Sequence, residues 1–134
     1  MTGLPYKESP FKRLDAADVA ALEAICPGRV FTGDAIKEDY THDEMKLYGE
    51  YLPEAVVEVE NDDEVSKVMA YCNEKNIAVT PRGAGTGLCG GCVTVYGGIV
   101  LSVARMTKVL EIDKNTMTAT VEPGLCLLYT SRCV

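Results

Sequence analysis

The residues best suited to bind a ligand form a glycine-rich stretch in the middle of the chain, at positions 81–91. It reads Pro-Arg-Gly-Ala-Gly-Thr-Gly-Leu-Cys-Gly-Gly, so glycines alternate at 83, 85 and 87. Glycine lacks a side chain and tolerates positive φ, which lets consecutive N–H groups converge on one anion. The compact, doubly charged pyrophosphate of a dinucleotide suits such a group of amides. The pattern predicts a pyrophosphate-binding loop, and a glycine-rich turn without a ligand is the alternative.

Two polar side chains and one proline accompany these glycines. Thr86 adds a hydroxyl group within the loop, and Arg82 adds a guanidinium group that remains charged at physiological pH. Pro81 restricts the backbone where the loop leaves the preceding apolar run. These neighbours favour an anionic ligand.

The same stretch also imitates the fingerprint of a nicotinamide dinucleotide site. Residues 85–90 satisfy G-x-G-x-x-G, an apolar run precedes them, and Glu111 lies about twenty residues further on. That fingerprint requires a helix that opens at the third glycine. Residues 91–98 instead contain three β-branched residues and three glycines, which disfavour a helix. We therefore interpret the nicotinamide match as accidental.

Cysteines offer a second kind of chemistry. Cys89 and Cys92 have the C-x-x-C spacing of a thiol redox pair or of half a zinc site. A redox pair of that kind sits at a helix N-terminus, and no helix is expected here. The remaining cysteines are isolated and His42 is the only histidine, so we predict no metal site.

His42 is also a candidate general base, in the segment Tyr-Thr-His-Asp at 40–43. A single histidine beside acidic residues is more often a solvated or hydrogen-bonded group. In that case Tyr40 and Asp43 tie down the loop. We predict no catalytic residue within this chain.

Composition sets the class of protein. The chain has 134 residues, of which 47% are hydrophobic and 25% charged, as in an average soluble globular domain. These values exclude a disordered, collagen-like or coiled-coil chain. The net charge of −7 repels phosphate backbones and anionic lipid, and Lys and Arg form no basic patch. Nucleic acid and membrane are therefore not expected partners.

The chain shows no feature typical of export or membrane insertion. No apolar run reaches the roughly 18 residues of a membrane span, and residues 1–10 lack the apolar core of a signal peptide. The six cysteines are therefore expected to be reduced thiols. We predict a cytoplasmic location.

Apolar spacing predicts a first helix over residues 15–26. Val19, Leu22 and Ile25 recur every three residues and form one buried stripe. Asp15 or Asp18 suits the positive end of the helix dipole, and Pro27-Gly28 ends the helix. Residues 30–51 mix short β-prone pieces with charge, and no element is assigned to them.

A βαβ unit follows. Residues 55–59 form an apolar strand, and Asn61 is a helix cap, with Glu64 placed to reach back from three residues on. The helix has an apolar face predicted to lie in the core: Val65, Val68, Met69 and Cys72. An apolar run at 77–80 forms the second strand, and the two strands are expected to lie parallel.

Antiparallel β structure is predicted after the glycine loop. Residues 99–103 form a buried strand, and residues 109–113 and 117–121 flank a polar turn at 114–116. The predicted class is α+β in a single folding unit.

Several of these segments together resemble the FAD-linked oxidase family. They are residues 53–57 (Pro-Glu-Ala-Val-Val), the capped helix, residues 77–91 with the glycine loop, and residues 121–124 (Val-Glu-Pro-Gly). The family has an FAD-binding domain of the vanillyl-alcohol-oxidase and p-cresol-methylhydroxylase type. Within this family, the sequence most resembles the branch that contains the glycolate oxidase flavoprotein subunit and D-lactate dehydrogenase.

The resemblance implies a domain organisation. Residues 1–29 form a lead-in and a helix, and residues 30–128 form an incomplete FAD-binding domain, with a βαβ subdomain followed by antiparallel β structure. Residues 129–134 are an atypical tail, because a helix is expected after Leu128 and the residues there lack a helical pattern. We predict that the chain is an N-terminal fragment.

The resemblance also implies which residues bind FAD. Backbone amides of residues 83–87 cradle the pyrophosphate and Arg82 braces the loop. Gly90 and Gly91 let the chain pass close to the cofactor, and Pro123 and Gly124 lie against the nucleotide from the other side. The full set is Arg82, Gly83, Ala84, Gly85, Thr86, Gly87, Leu88, Gly90, Gly91, Pro123 and Gly124. The loop lacks the histidine that some relatives link to flavin, so binding is expected to be noncovalent.

Members of the similar branch oxidise small 2-hydroxy acids. The resemblance implies hydride transfer from the substrate to FAD and then electron transfer to an external protein or quinone. The fragment itself is expected to be inactive, because the substrate-covering part of the family lies beyond this sequence. The alternatives are a flavoenzyme with another substrate, or a small metal or thiol module that uses Cys89 and Cys92.

Overall fold

The computed structural model describes residues 8–126, which contain two helices and six strands. Residues 1–7 of the predicted lead-in, residues 127–128 of the predicted domain and all of the predicted tail at 129–134 lie outside the described residues. The elements in chain order are α1 (Ala16–Ile25), β1 (Val30–Thr32), β2 (Ala55–Glu58), α2 (Asp62–Lys75), β3 (Val79–Arg82), β4 (Ile99–Ser102), β5 (Val109–Asp113) and β6 (Thr118–Val121).

Four strands form one sheet in the order β1-β2-β4-β3. β2 and β3 each pair in parallel with β4, and β1 pairs antiparallel with β2 at the edge. The predicted βαβ unit is confirmed, since β2 and β3 run parallel. The antiparallel structure predicted after the glycine loop is present between β5 and β6, but the prediction is wrong for β4, which lies in the middle of the sheet with a parallel neighbour on each side. β4 lies between the two strands of the βαβ unit, because the crossover through α2 leaves room for one more strand.

β3 begins two residues later than the predicted run at 77–80. Asn76 ends α2 in the left-handed conformation with φ 56°, and the N–H of Ile77 donates to the Cys72 carbonyl at 2.8 Å. The strand therefore starts at Val79 and includes Pro81. An edge strand accommodates proline, because the missing N–H faces away from the ladder. Arg82 is consequently the last strand residue, and the glycine loop leaves directly from the carboxyl end of β3.

Both helices pack on one face of the sheet. Leu22 of α1 and Val68 and Cys72 of α2 are buried against it. Val19, Ile25 and Val65 of the predicted stripes are half-buried. The prediction of a core position is wrong for Met69, which is 44% exposed, because its position on α2 faces an open groove beside β3.

The opposite face of the sheet is covered by the chain between β1 and β2, to which the sequence assigned no element. Ile36, Val56 and Val100 form a small buried cluster there, and Phe31, Tyr40 and Leu52 pack around it. Two short 3₁₀ turns, Gly33–Ala35 and Glu38–Thr41, shape this segment. It continues past the carboxyl end of β3, where it contacts the glycine loop.

Side chains cap both helices, and the cap at Asn61 is the one that the sequence predicts. Asp15 accepts hydrogen bonds from the N–H groups of Ala17 and Asp18, and Asp18 accepts one from the Asp15 N–H in return. Asn61 accepts from the Glu64 N–H at 3.0 Å. These bonds satisfy amides that a helix start leaves without partners.

Two acidic side chains, the buried Asp18 and the partly buried Glu64, connect the helices to their surroundings. The Asp18 carboxylate accepts hydrogen bonds from Lys12 Nζ at 2.5 Å and from the Tyr71 hydroxyl at 2.9 Å. Glu64 receives both terminal nitrogens of Arg29 at 2.7 and 2.6 Å. That bidentate bond lowers the pKa of Glu64 from 4.5 to about 2.

β5 and β6 form the predicted hairpin as a separate two-stranded sheet. Its large apolar side chains are exposed, including Leu110 at 61% and Ile112 at 67%. Glu122 closes the base of the hairpin, where its carboxylate accepts from the Lys108 N–H at 2.8 Å. Just beyond it, the Gly124 N–H donates to the Met106 carbonyl at 2.8 Å and ties the hairpin to the chain after β4. With its mixed sheet, two helices and antiparallel hairpin, the fold confirms the α+β prediction.

We expect Glu64→Gln to destabilise the chain at pH 7 by about 2 kcal/mol, because the charged bidentate contact with Arg29 is lost. The lowered pKa means that this contact stabilises the fold above pH 4.5 and is lost as the pH falls toward 2. The variant should therefore lose less stability than the unchanged chain between those pH values, measured by urea unfolding. Glu74→Gln, on an exposed part of α2, is the matched control and should behave like the unchanged chain.

Candidate functional site

The glycine loop lies at the carboxyl edge of the sheet. It begins after Arg82, next to the ends of β2 and β4 in the parallel part of the sheet. Residues 83–91 contain no helix or strand, and most of them are exposed. Ligands of sheets with parallel strands characteristically bind at this edge.

The loop backbone leaves its amides open. Within residues 8–126 the N–H groups of residues 83–87 donate to no protein acceptor. Gly85 has φ 77° and Gly90 has φ 72°, in the left-handed region that favours glycine. Thr86 and Leu88 are exposed on the loop, and Leu88 shows 54% of its surface. The loop can therefore present main-chain donors to a ligand.

Arg82 lies beneath the loop and is 6% exposed. Its guanidinium donates to the carbonyls of Asp39 at 2.5 Å and His42 at 2.7 Å, and to the Cys92 sulfur at 3.3 Å. It also stacks over the Tyr40 ring at 5.4 Å. These contacts join three chain segments under the loop, so the side chain supports the loop from below.

Gly85 is required by the position of Arg82. A Cβ atom at Gly85 would lie 2.0 Å from Arg82 Nη2 and 2.5 Å from its Cζ. At Gly83, Gly87 and Gly91 an added Cβ would meet no protein atom within 4 Å. The loop is thus closely packed on its inner side and open on its outer side.

Two further residues fasten the loop from outside it. Asp43 Oδ2 accepts from the Gly90 N–H at 2.7 Å, and the Glu44 N–H donates to the Gly87 carbonyl at 3.3 Å. A Cβ at Gly90 would lie 2.7 Å from Cγ of Tyr48. The sequence predicted that Asp43 ties down its own loop, but not that it bonds to the glycine loop, because the two segments are far apart in the chain.

Pro123 and Gly124 follow the hairpin and approach the residues after β4. The Gly124 N–H donates to the Met106 carbonyl at 2.8 Å, and a Cβ at Gly124 would lie 2.0 Å from the Val103 carbonyl oxygen. Gly124 therefore permits a close backbone contact. The structure places this turn beyond the end of β4 and the glycine loop beyond the end of β3, so the two predicted motifs follow neighbouring strands.

The side chains of Cys89, Cys92 and His42 do not have the surroundings of metal ligands. Cys89 is exposed, and Cys92 accepts a hydrogen bond from Arg82. His42 Nδ1 donates to the Asp43 carbonyl at 2.8 Å. In the described range 8–126, no three His, Cys, Asp or Glu side chains are grouped to hold a metal ion. Neither helix of that range is long and apolar enough to cross a bilayer.

Comparison with known proteins identifies the family. Residues 53–128 match the family described as FAD binding domain. The chain belongs to this family. It is 41% identical over 120 residues to D-lactate dehydrogenase of Anaerostipes hadrus, covering 90% of this chain and 25% of that protein. It is 41% identical over 95 residues to glycolate oxidase subunit GlcD of Bacillus subtilis, covering 71% of this chain and 20% of that protein.

A solved structure supports the FAD-binding fold. The chain superposes on p-cresol methylhydroxylase with a TM-score of 0.72 and 24% identity, over 86% of this chain and 24% of that one. The FAD-binding domain described here thus spans about a quarter of the proteins it resembles. Its fold agrees with the type that the glycine loop and the turn at 121–124 predict.

The residues present fit FAD. The cofactor carries a pyrophosphate, and the loop offers unpaired N–H groups with open space above Gly83 and Gly87. Main-chain N–H groups on one short loop can bind adjacent phosphates. No acidic side chain belongs to residues 83–91, so the loop itself does not repel the ligand.

We expect Gly85→Ala to destabilise the FAD-binding domain more than Gly28→Ala does. Both positions have positive φ, 77° and 70°, but an added Cβ meets Arg82 only at Gly85. Strain alone costs about 1 kcal/mol, and overpacking against Arg82 adds at least about 1 kcal/mol more. Urea unfolding measures both changes. Equal losses would show that Arg82 does not lie under Gly85 in solution.

Proposed function

We propose that the glycine loop binds the pyrophosphate of FAD through the main-chain N–H groups of Gly83, Ala84, Gly85, Thr86 and Gly87. One observation carries this proposal: these amides lie on an exposed loop at the carboxyl edge of the sheet and have no acceptor within residues 8–126. Unpaired donors on one short loop are a ready site for an anion.

The other predicted residues take supporting roles in this proposal. Arg82 holds the loop from below, and the exposed Leu88 covers the cofactor at the end of the nest. Gly90 and Gly91 allow a close approach of the chain, and Pro123 and Gly124 contact the nucleotide from the second turn. The loop has no histidine, so the cofactor is held without a covalent bond.

We further propose that the whole protein oxidises a small 2-hydroxy acid. The support is that relatives at 41% identity are a D-lactate dehydrogenase and a glycolate oxidase subunit. When bound, FAD supplies a two-electron acceptor for such a substrate. This chain supplies the binding and orientation of the cofactor. An external protein or a quinone receives the electrons afterwards.

A cytoplasmic location belongs to the same proposal. The described cysteines are all free thiols: Cys26, Cys72, Cys89, Cys92 and Cys126. Free thiols suit a reducing compartment. Cys26 and Cys72 lie in the core, where burial raises the pKa of each thiol to about 11, so these two remain protonated and unreactive.

We expect FAD and ADP to shift the N–H resonances of residues 83–87 in an ¹⁵N-labelled sample of this chain. Both ligands carry a diphosphate, and nuclear magnetic resonance detects binding even in the millimolar range. The largest shifts should fall on those five residues. Shifts confined to other parts of the chain would contradict the proposed site.

Gly87→Val tests the same site by filling its open side. No protein atom lies within 4 Å of the added Cβ, so the variant should fold with unchanged stability. Its side chain would occupy the space of the phosphates, and the dissociation constant for FAD should rise at least about tenfold. Ala24→Val, on the exposed surface of α1, should leave that constant unchanged.

The activity is tested on a longer protein that contains this chain. We expect D-lactate or glycolate to bleach the absorbance of its bound flavin under anaerobic conditions, and an added electron-accepting dye to restore it. Bleaching by a phenol instead of a hydroxy acid would favour the alternative flavoenzyme with another substrate. Stoichiometric zinc in the purified protein would favour the metal module.

A further inference from the structure

The glycine loop is held by one segment of the chain, residues 39–48, which we name the support segment. It precedes residues 53–128, the part that matches the FAD binding domain family. We propose that Asp43 in the support segment is a positioning residue that fixes the glycine loop in the form that binds a pyrophosphate. This inference rests on the proposed function, because it assigns a role in the same site.

Asp43 is a buried carboxylate whose partners are all main-chain amides. Only 1% of its surface is exposed. Oδ1 accepts from the N–H groups of Met45 at 3.1 Å and Lys46 at 3.2 Å, and Oδ2 accepts from Gly90 at 2.7 Å. No cationic side chain pairs with it within residues 8–126. Burial of a charge is costly unless it is hydrogen-bonded, so these three bonds are a constraint on the fold.

Two of the three hydrogen bonds lie within the support segment, and the third connects it to the glycine loop. The bonds from Met45 and Lys46 close a turn within the support segment, and they orient the carboxylate. The bond from Gly90 then ties that oriented group to the far end of the glycine loop. Tyr48 of the same segment packs on Gly90, since a Cβ there would lie 2.7 Å from the ring.

The near end and the middle of the loop are bound to the same segment. Arg82 donates to the carbonyls of Asp39 and His42, and the Glu44 N–H donates to the Gly87 carbonyl at 3.3 Å. Both ends of the loop are thus fixed on one support while the N–H groups between them remain free. Fixing the ends before binding reduces the conformational entropy that a flexible glycine loop would lose on binding.

Asp43→Asn is the direct test. The amide nitrogen that replaces one oxygen cannot accept a hydrogen bond. The orientation that loses fewer bonds keeps the oxygen on the N–H groups of Met45 and Lys46 and leaves the Gly90 N–H without its partner. We expect the Gly90 N–H to exchange with solvent at least about tenfold faster in the ligand-free chain, and the dissociation constant for ADP to rise at least about tenfold.

A matched variant separates positioning from general stability. Asn61→Ala removes the cap of α2 and is expected to lower the melting temperature without a contact to the loop. ADP affinity is compared at a temperature where every variant is folded. We expect Asn61→Ala to keep the dissociation constant within about twofold of the unchanged chain. An equal rise in Asn61→Ala would overturn the inference.

A second variant serves if Asp43→Asn does not fold. Tyr48→Ala removes a half-exposed ring from Gly90 and leaves no buried polar group unpaired. The dissociation constant for ADP should then rise about threefold or more, and an unchanged constant would count against the support segment.

The failures of the two proposals are distinguishable. If the unchanged chain binds ADP and Asp43→Asn binds it equally well, the positioning role is wrong and the proposed function stands. If the unchanged chain shows no shift of residues 83–87 with either ADP or FAD, the proposed site is wrong and the role of Asp43 fails with it.

Discussion

The buried guanidinium of Arg82 is the contact on which the site depends. It is the last residue of β3, it joins the carbonyls of Asp39 and His42, and it lies within 2.0 Å of where a Cβ of Gly85 would be. A charged group can be buried this way because carbonyl oxygens and the Tyr40 ring replace its water. The sheet, the support segment and the glycine loop are therefore all in contact with this one side chain. The need for glycine at position 85 follows from it, because a Cβ there would clash with the guanidinium.

The strand order explains why two motifs far apart in sequence serve one edge. β4 lies between β2 and β3, so the loop after β3 and the chain after β4 leave the sheet side by side. Gly124 returns to this place after the hairpin and touches the Val103 carbonyl. The apolar core fixes the strands, and the strands in turn fix the distance between the two turns. The proposed cofactor site thus depends on the packing of side chains on the two faces of the sheet.

Local patterns were sufficient for most elements. The two helices, the cap at Asn61 and the hairpin were predicted, because each depends on residues close in sequence. For Asp15 the sequence predicted a favourable charge at the helix start, and the structure adds the capping bonds. The order of the strands and the contact between Asp43 and Gly90 were not predicted, because they depend on pairing across about fifty residues. Met69 was wrongly assigned to the core. Helical spacing shows which residues share one face of α2, but it does not show how much of that face the sheet covers. The glycine loop was recognised from its composition, while its free amides required the structure.

The hairpin has a consequence for handling the chain. Leu110 and Ile112 are exposed on a two-stranded sheet, and within residues 8–126 each of its strands has a partner on one side only. Exposed edge strands of this kind can pair with the same strands of a second copy, and the apolar side chains along them favour aggregation. The overall charge of −7 keeps copies apart at low ionic strength, and added salt weakens that repulsion. The tendency of the isolated chain to aggregate thus depends on two opposing effects, attraction between the exposed apolar hairpins and electrostatic repulsion between the negatively charged copies.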